Sequence, residues 1–273
     1  MNNLNELHKS AMEMLKSTSR TFFIPISYLP SDLQEVLTSA YLCLRAIDEI
    51  EDHHDLQFEE KYQLLNSIGE LLKYNYFQTE LNSLLLQYNS IFPEVILRLS
   101  DWIKHCPLTI RNHIINITST LSIGMSEWVL KKWNIQDEEG LNEYTYYAAG
   151  IVGTLLSDIW KWYDGTETNK EFAIAFGRGL QTVNILRDRS EDLKRGLDFF
   201  PDGWSEGDMH IYAQHNLALA NHYLKDIKTE TIFQFCKLPL ALAHGTLDAL
   251  KEGRNKMSKK EVNDLVNRVY IKN

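Results

Sequence analysis

Residues 31–52 read SDLQEVLTSAYLCLRAIDEIED. Ser31-Asp32-Leu33-Gln34, directly after Pro30, has the pattern of a capping box, in which the first and fourth side chains satisfy free N–H groups at a helix start. Leu33, Val36, Leu37, Ala40, Tyr41, Leu44 and Ile47 then recur every three or four positions, the period of one buried helix face. The spacing predicts a helix running to about Asp52. Working outward, Thr168-Asn169-Lys170-Glu171 repeats the capping pattern. It leads through Phe172, Ala175, Phe176, Leu180, Val183 and Leu186 towards Gly196, predicting a second helix that ends near Arg195. Similar periodicity predicts helices at 58–74, 93–103, 108–130 and 138–162, with two more after about Gly207 and Pro239. The chain therefore reads as all-α, a single domain over residues 1–273 with no repeat or Gly/Ser-rich linker to divide it.

Composition agrees. Among 273 residues there are only 13 Gly and 6 Pro, and 44% are hydrophobic and 24% charged, which excludes a disordered or collagen-like chain. The net charge, 28 minus 37 or -9, offers nothing to attract nucleic acid or an anionic membrane. An anionic substrate would need locally placed cations or metal. Cys43, Cys106 and Cys236 are odd in number and lack paired spacing, which argues against a disulfide framework or zinc site and for a reducing, cytoplasmic setting. No apolar run approaches the roughly 18 residues of a membrane span. The start MNNLNELHKS lacks the basic flank and apolar core of a signal peptide, so the expectation is a chain neither secreted nor membrane-spanning.

The chemistry lies at the end of the first helix, where an apolar run acquires four acids in five positions: Asp48, Glu49, Glu51 and Asp52. Asp48 and Asp52 stand one turn apart on the same face, where like charges weaken a helix. A divalent cation would relieve that repulsion, since magnesium commonly joins one or two carboxylates to substrate phosphates. A helix end dissolving into solvent would also relieve it. Asp188-Arg189-Ser190-Glu191-Asp192 repeats the D-x-x-E-D pattern on the second helix. Gln181, Asn184, Asp188 and Asp192 follow one another at offsets of three, four and four, so they form one polar stripe. Gly177 and Gly179 hint at close packing beside it. Glu49 is rotated roughly 100° from Asp48 and is expected to support the turn or face solvent.

These residues resemble the squalene/phytoene synthase family. The likeness runs through Ser19-Arg20-Thr21-Phe22, then Leu44-Arg45-Ala46-Ile47-Asp48 with Glu51-Asp52, then Tyr144 through Ala148-Ala149-Gly150-Ile151-Val152-Gly153. It continues through Leu180-Gln181-Thr182-Val183-Asn184-Ile185-Leu186-Arg187-Asp188, Glu191-Asp192, Lys194-Arg195-Gly196 and Phe199-Phe200-Pro201. The resemblance implies an isoprenoid (terpenoid) synthase fold with helices around a central cavity, and acidic motifs on opposite walls. It implies Mg2+ held by Asp48, Asp52, Asp188 and Asp192, supported by Glu51 and Glu191. Arg45, Arg187 and Arg20 would contact diphosphate oxygens, with Ser19, Gln181 and Asn184 completing the substrate site. Tyr144 would act near the cationic intermediate, with Arg45 and Arg187 counted as catalytic. Phe22, Phe23, Tyr41, Tyr147 and Phe176 would supply apolar and π-rich walls. Gly150 and Gly153 would admit either a prenyl tail or a neighbouring helix. Thr18 departs from the family, several bacterial members having histidine there.

The implied reaction is head-to-head condensation of two prenyl diphosphates, with farnesyl diphosphate as the expected substrate, through a cyclopropyl intermediate to a squalene- or dehydrosqualene-type product. An alternative from the same site is hydrolysis to farnesol, as in a bacterial branch of the family described as farnesyl diphosphate phosphatase. A non-catalytic binding relative is a third reading, opposed by the intact acidic turns. No nucleotide-binding motif is present, so NADPH use is not legible, and oligomeric state is equally undetermined. The C-terminal anchor of eukaryotic squalene synthases is not expected, while a long-tailed substrate suggests transient membrane contact.

Overall fold

The structure is a computed structural model that describes residues 2–74 and 76–270, except the side chains of residues 2–4, 20 and 21. Every regular element among the described residues is helical. The chain divides into two compact units, Met1–Lys131 and Lys132–Asn273.

The first unit contains α1 (Asn2–Thr18), α2 (Arg20–Ser27), α3 (Ser31–Glu51), α4 (Phe58–Leu71), α5 (Gln78–Leu86), α6 (Glu94–Leu97), α7 (Leu99–His105) and α8 (Leu108–Leu130). Its axis is α3, which packs against α1, α2, α4, α6, α7 and α8. That centrality follows from composition: besides the predicted stripe, Thr38, Ser39, Leu42, Cys43, Ala46 and Ile50 are buried, so the helix hides nearly its whole circumference. The hydroxyl that burial would strand on Ser39 instead donates to the Trp102 carbonyl on α7 at 2.7 Å. Only the end of α3 becomes polar.

The second unit contains α9 (Glu138–Thr145), a π-helical turn (Tyr146–Gly150), α10 (Ile151–Asp164), α11 (Lys170–Lys194), α12 (Glu206–Asp226), α13 (Glu230–Lys251) and α14 (Lys259–Tyr270). Here α11 is the axis, packed against α9, the π turn, α10, α12 and α13. Close approach is built in by glycine. A Cβ on Gly153 would lie 1.8 Å from the Ala173 carbonyl oxygen, and one on Gly177 would lie 2.1 Å from that of Ala149. Of the two uses open to Gly153, the neighbouring helix is the one the structure displays.

Several local expectations are corrected. No capping box starts α3; Pro30 precedes its first residue, and the Gln34 amide donates to the carbonyls of Ser27 and Leu29 instead. The N-cap of α11 is Asn169 rather than Thr168, its side chain accepting from the N–H groups of Glu171 and Phe172. The 93–103 helix is two short helices broken at Arg98, and 138–162 is interrupted by the π turn. Pro239 lies inside α13 rather than before a helix. The bounds of α8 are those predicted.

Candidate functional site

Each acidic turn closes the central helix of its unit. On α3, the buried run ends at Ile50, and the last turn carries Asp48, Glu49 and Glu51 with Asp52 as the C-cap. The Asp52 N–H donates to the Asp48 carbonyl at 2.9 Å, which keeps Asp52 in helical register one turn beyond Asp48. Asp48 is half-buried and Asp52 exposed. Burial pushes the Asp48 carboxyl up to about 7; the Arg45 charge opposes this, while Asp52 and Glu49 add to it. The donors offered are carboxylate oxygens, which suit a hard divalent cation.

Arg45 stands one turn before Glu49 and is paired with it, so Glu49 supports the site through the arginine. Burial disfavours the Arg45 charge, yet the surrounding groups, Glu49 foremost with Asp48 and Tyr41, together outweigh it and raise the pKa. Its Nε is buried and has no hydrogen-bond partner among the described residues. An unsatisfied buried guanidinium N–H fits an anionic ligand such as a diphosphate oxygen. Ser19 caps α2, its Oγ accepting the Phe22 N–H at 3.1 Å. The Arg20 side chain lies outside the described residues. Phe22 and Tyr41, both half-buried, pack with ring centroids 5.9 Å apart.

Sequence reasoning missed Lys61. It lies on α4, is buried at 6% exposure, and its Nζ donates to the Glu51 carbonyl at 2.5 Å. The α3 C-terminus has no basic residue of its own in the last turn, and this buried ammonium meets the negative helix end at the Glu51 carbonyl. Lys61 is ten residues from Glu51 across an irregular loop, and no helical period connects them.

In the second unit, Gln181, Asn184 and Asp188 are half-buried and Asp192 is buried, so the predicted stripe faces neither free solvent nor a sealed core. Arg187 is held by Asp188 through two bonds, Nε to Oδ1 at 2.8 Å and Nη2 to Oδ2 at 2.5 Å, and this pairing raises its pKa. Asp192 accepts from Arg195 at 2.5 Å. Glu191 is exposed. Tyr144, at 5% exposure, lies under the ring of Phe199, with centroids 5.1 Å apart and planes 17° apart. Tyr147 is half-buried edge-on to Tyr146, while Phe176 belongs to the core. Among the described residues no group of three or more His, Cys, Asp or Glu side chains is gathered to hold a metal ion. Each unit thus offers two aspartates one helical turn apart with an arginine close by: Arg45 before Asp48 and Asp52, and Arg187 bonded to Asp188 ahead of Asp192.

This architecture matches that of solved structures. One, described as TcSQS with the ligand E5700, aligns with a TM-score of 0.80 at 19% identity, covering 96% of this chain and 85% of that one. A dehydrosqualene synthase in complex with a ligand aligns with a TM-score of 0.63 at 18% identity, covering 98% and 96% respectively. The fold is thus the all-α terpenoid synthase fold. A family profile for squalene/phytoene synthase matches residues 15–208, and the chain belongs to that family. Squalene synthase of Schizosaccharomyces pombe is 29% identical over 276 residues, covering 87% of this chain and 58% of its own length. That of Dictyostelium discoideum is also 29% identical, over 279 residues, covering 89% and 64%. The chain spans about three-fifths of the length of these curated relatives.

Proposed function

We propose that this protein is a prenyltransferase that condenses two prenyl diphosphates head to head, with farnesyl diphosphate as substrate and a squalene- or dehydrosqualene-type product. The observation that carries this reading is the pair of intact D-x-x-E-D turns, each ending the central helix of one unit beside an arginine. On this reading residues 1–273 act as one catalytic domain, and each turn contributes carboxylates to diphosphate chemistry. Asp48 and Asp52, and Asp188 and Asp192, would hold Mg2+, which would supply positive charge to a departing diphosphate.

The chain's own residues do the rest. Arg45 directs its unsatisfied Nε–H, and Arg187 its guanidinium, at diphosphate oxygens, both staying charged throughout the working pH range. Glu51 and Glu191 support the turns. Ser19, Gln181, Asn184 and Arg20 orient the head group. Tyr144 and the rings of Phe22 and Tyr41 present π faces to the allylic cation while excluding water from it. An apolar tail would bring the protein transiently to a membrane surface; among the described residues no helix is long and apolar enough to cross one.

The test is incubation of the purified protein with farnesyl diphosphate and Mg2+, with and without NADPH, and chromatography of the extract. Presqualene diphosphate, dehydrosqualene or squalene is the expected outcome, and the NADPH arm reports whether the product is reduced. Farnesol alone would transfer the assignment to hydrolysis. Failure to consume either farnesyl or geranylgeranyl diphosphate would overturn the enzymatic reading.

A further inference from the structure

We infer that Arg189, although it lies inside the second acidic turn, is a positioning residue rather than a diphosphate contact. It clamps the loop after α11 so that Phe199 covers Tyr144 and keeps water from the reacting cation. The inference rests on the prenyl-transfer reading above.

Two arginines flank Asp188, and they point to different partners. Arg187 pairs with Asp188 itself. Arg189 reaches nine residues ahead to Asp198, with Nη2 to Oδ2 at 2.9 Å and Nε to Oδ1 at 3.3 Å, the forked geometry that fixes orientation as well as distance. Its guanidinium also lies 3.6 Å from the centre of the Phe200 ring. Asp198 Oδ1 accepts in addition the Phe200 N–H at 3.1 Å, so the residues on both sides of Phe199 are held by one arginine–aspartate pair. The loop is anchored at its start as well: Gly196 turns the chain at φ 79°, and the Leu197 N–H donates to the Asp192 carbonyl at 3.0 Å.

What this clamp presents is the Phe199 ring. It is half-buried and nearly parallel to the ring of Tyr144, which is 5% exposed, so one face of the tyrosine is covered by a ring that is itself partly open to solvent. Released from the clamp, Phe199 would uncover that face. Water would then compete with the second prenyl group for the cation. In that diversion the C1–O bond to diphosphate has broken, the water oxygen bonds to C1, and a water proton passes to the diphosphate, leaving prenyl alcohol. Arg189 and Asp198 thereby set the ratio of condensation to hydrolysis without touching substrate.

The experiment compares wild type, Phe199→Ala, Arg189→Met, Asp198→Asn and the Arg189→Met/Asp198→Asn double variant. Readouts are the hydrocarbon-to-farnesol ratio, KM and kcat, thermal melting, and the NMR signal of the Tyr144 ring, assigned with Tyr144→Phe. Each single variant should lower the ratio roughly tenfold or more, the scale on which small misplacements act. The double variant should be no worse than either single one, because both remove the same clamp. KM for the diphosphate should stay near wild type, and the Tyr144 signal should lose its upfield ring-current shift. An unchanged ratio and signal in folded Phe199→Ala would refute the inference, as would a KM rise confined to Arg189→Met, the signature of a diphosphate contact. Wild type that consumes no prenyl diphosphate would instead sink the underlying functional reading; the Tyr144 signal would still report on the clamp.

Discussion

Replacing Gly153 with alanine should destabilise the protein, although local propensity alone favours alanine. Gly153 lies in α10, where exchange of glycine for alanine ordinarily stabilises a helix by about 1 kcal/mol. Here the added Cβ would meet the Ala173 carbonyl oxygen at 1.8 Å and its carbon at 2.5 Å, whereas ordinary contact begins at 3.4 Å. The obstacle is backbone in the middle of another helix and has no rotamer through which to withdraw. Helices α10 and α11 must part by about 1.6 Å, the shortfall between those distances. Overpacking of that kind costs about 3 kcal/mol or more. The net effect is a loss of about 2 kcal/mol, which for a chain of this size lowers the melting temperature by about 4–8 °C. Thermal unfolding followed by far-UV circular dichroism measures it. Gly165→Ala is the control: it has φ 74° and open space around it, so only the left-handed strain of about 1 kcal/mol applies. A melting temperature for Gly153→Ala equal to or above wild type would refute the interlocked-backbone account.

Asp48→Asn and Asp188→Asn should each abolish turnover while the helical circular-dichroism signal persists; activity retained by either variant would contradict the metal assignment. Lys61→Met should loosen the end of α3, because a charged hydrogen bond of about 2 kcal/mol is lost there. Amide hydrogen exchange over residues 49–53 should then accelerate about tenfold or more, and unchanged protection would deny Lys61 its capping role. His105 is buried, and that burial together with the charge of neighbouring His8, 3.1 Å away, lowers its pKa to about 4 from 6.5. A depressed histidine is neutral in the fold and protonates more readily unfolded. Its stability contribution is therefore present above about pH 6.5 and is lost as pH falls towards 4, amounting to about 3 kcal/mol. His105→Gln should flatten the melting profile across that window, and an unaltered acid slope would contradict the assignment.

Helix α8 was legible to the residue because its apolar period is uninterrupted and Pro107 gives it a definite start. The acidic turns were legible because helical offsets alone place Asp48 with Asp52, and Asp188 with Asp192, on common faces. Local signals failed where another part of the chain competed for the same group. Gln34 spends its amide on the Ser27 and Leu29 carbonyls instead of a capping box. Pro239 normally marks a helix boundary because it lacks an N–H, but Phe235, Cys236, Leu238 and Leu240 are all buried around it, and their packing carries α13 through.

Sequence by itself determined the helical class, the two acidic turns and the arginine beside each, because all of these depend on residues within one or two turns of one another. The tertiary structure alone decided that Gly153 meets a helix, that Lys61 caps the first acidic helix, and that Arg189 serves Phe199 and Tyr144. Those outcomes depend on which surfaces the packed helices bring together, and no periodicity along the chain encodes them.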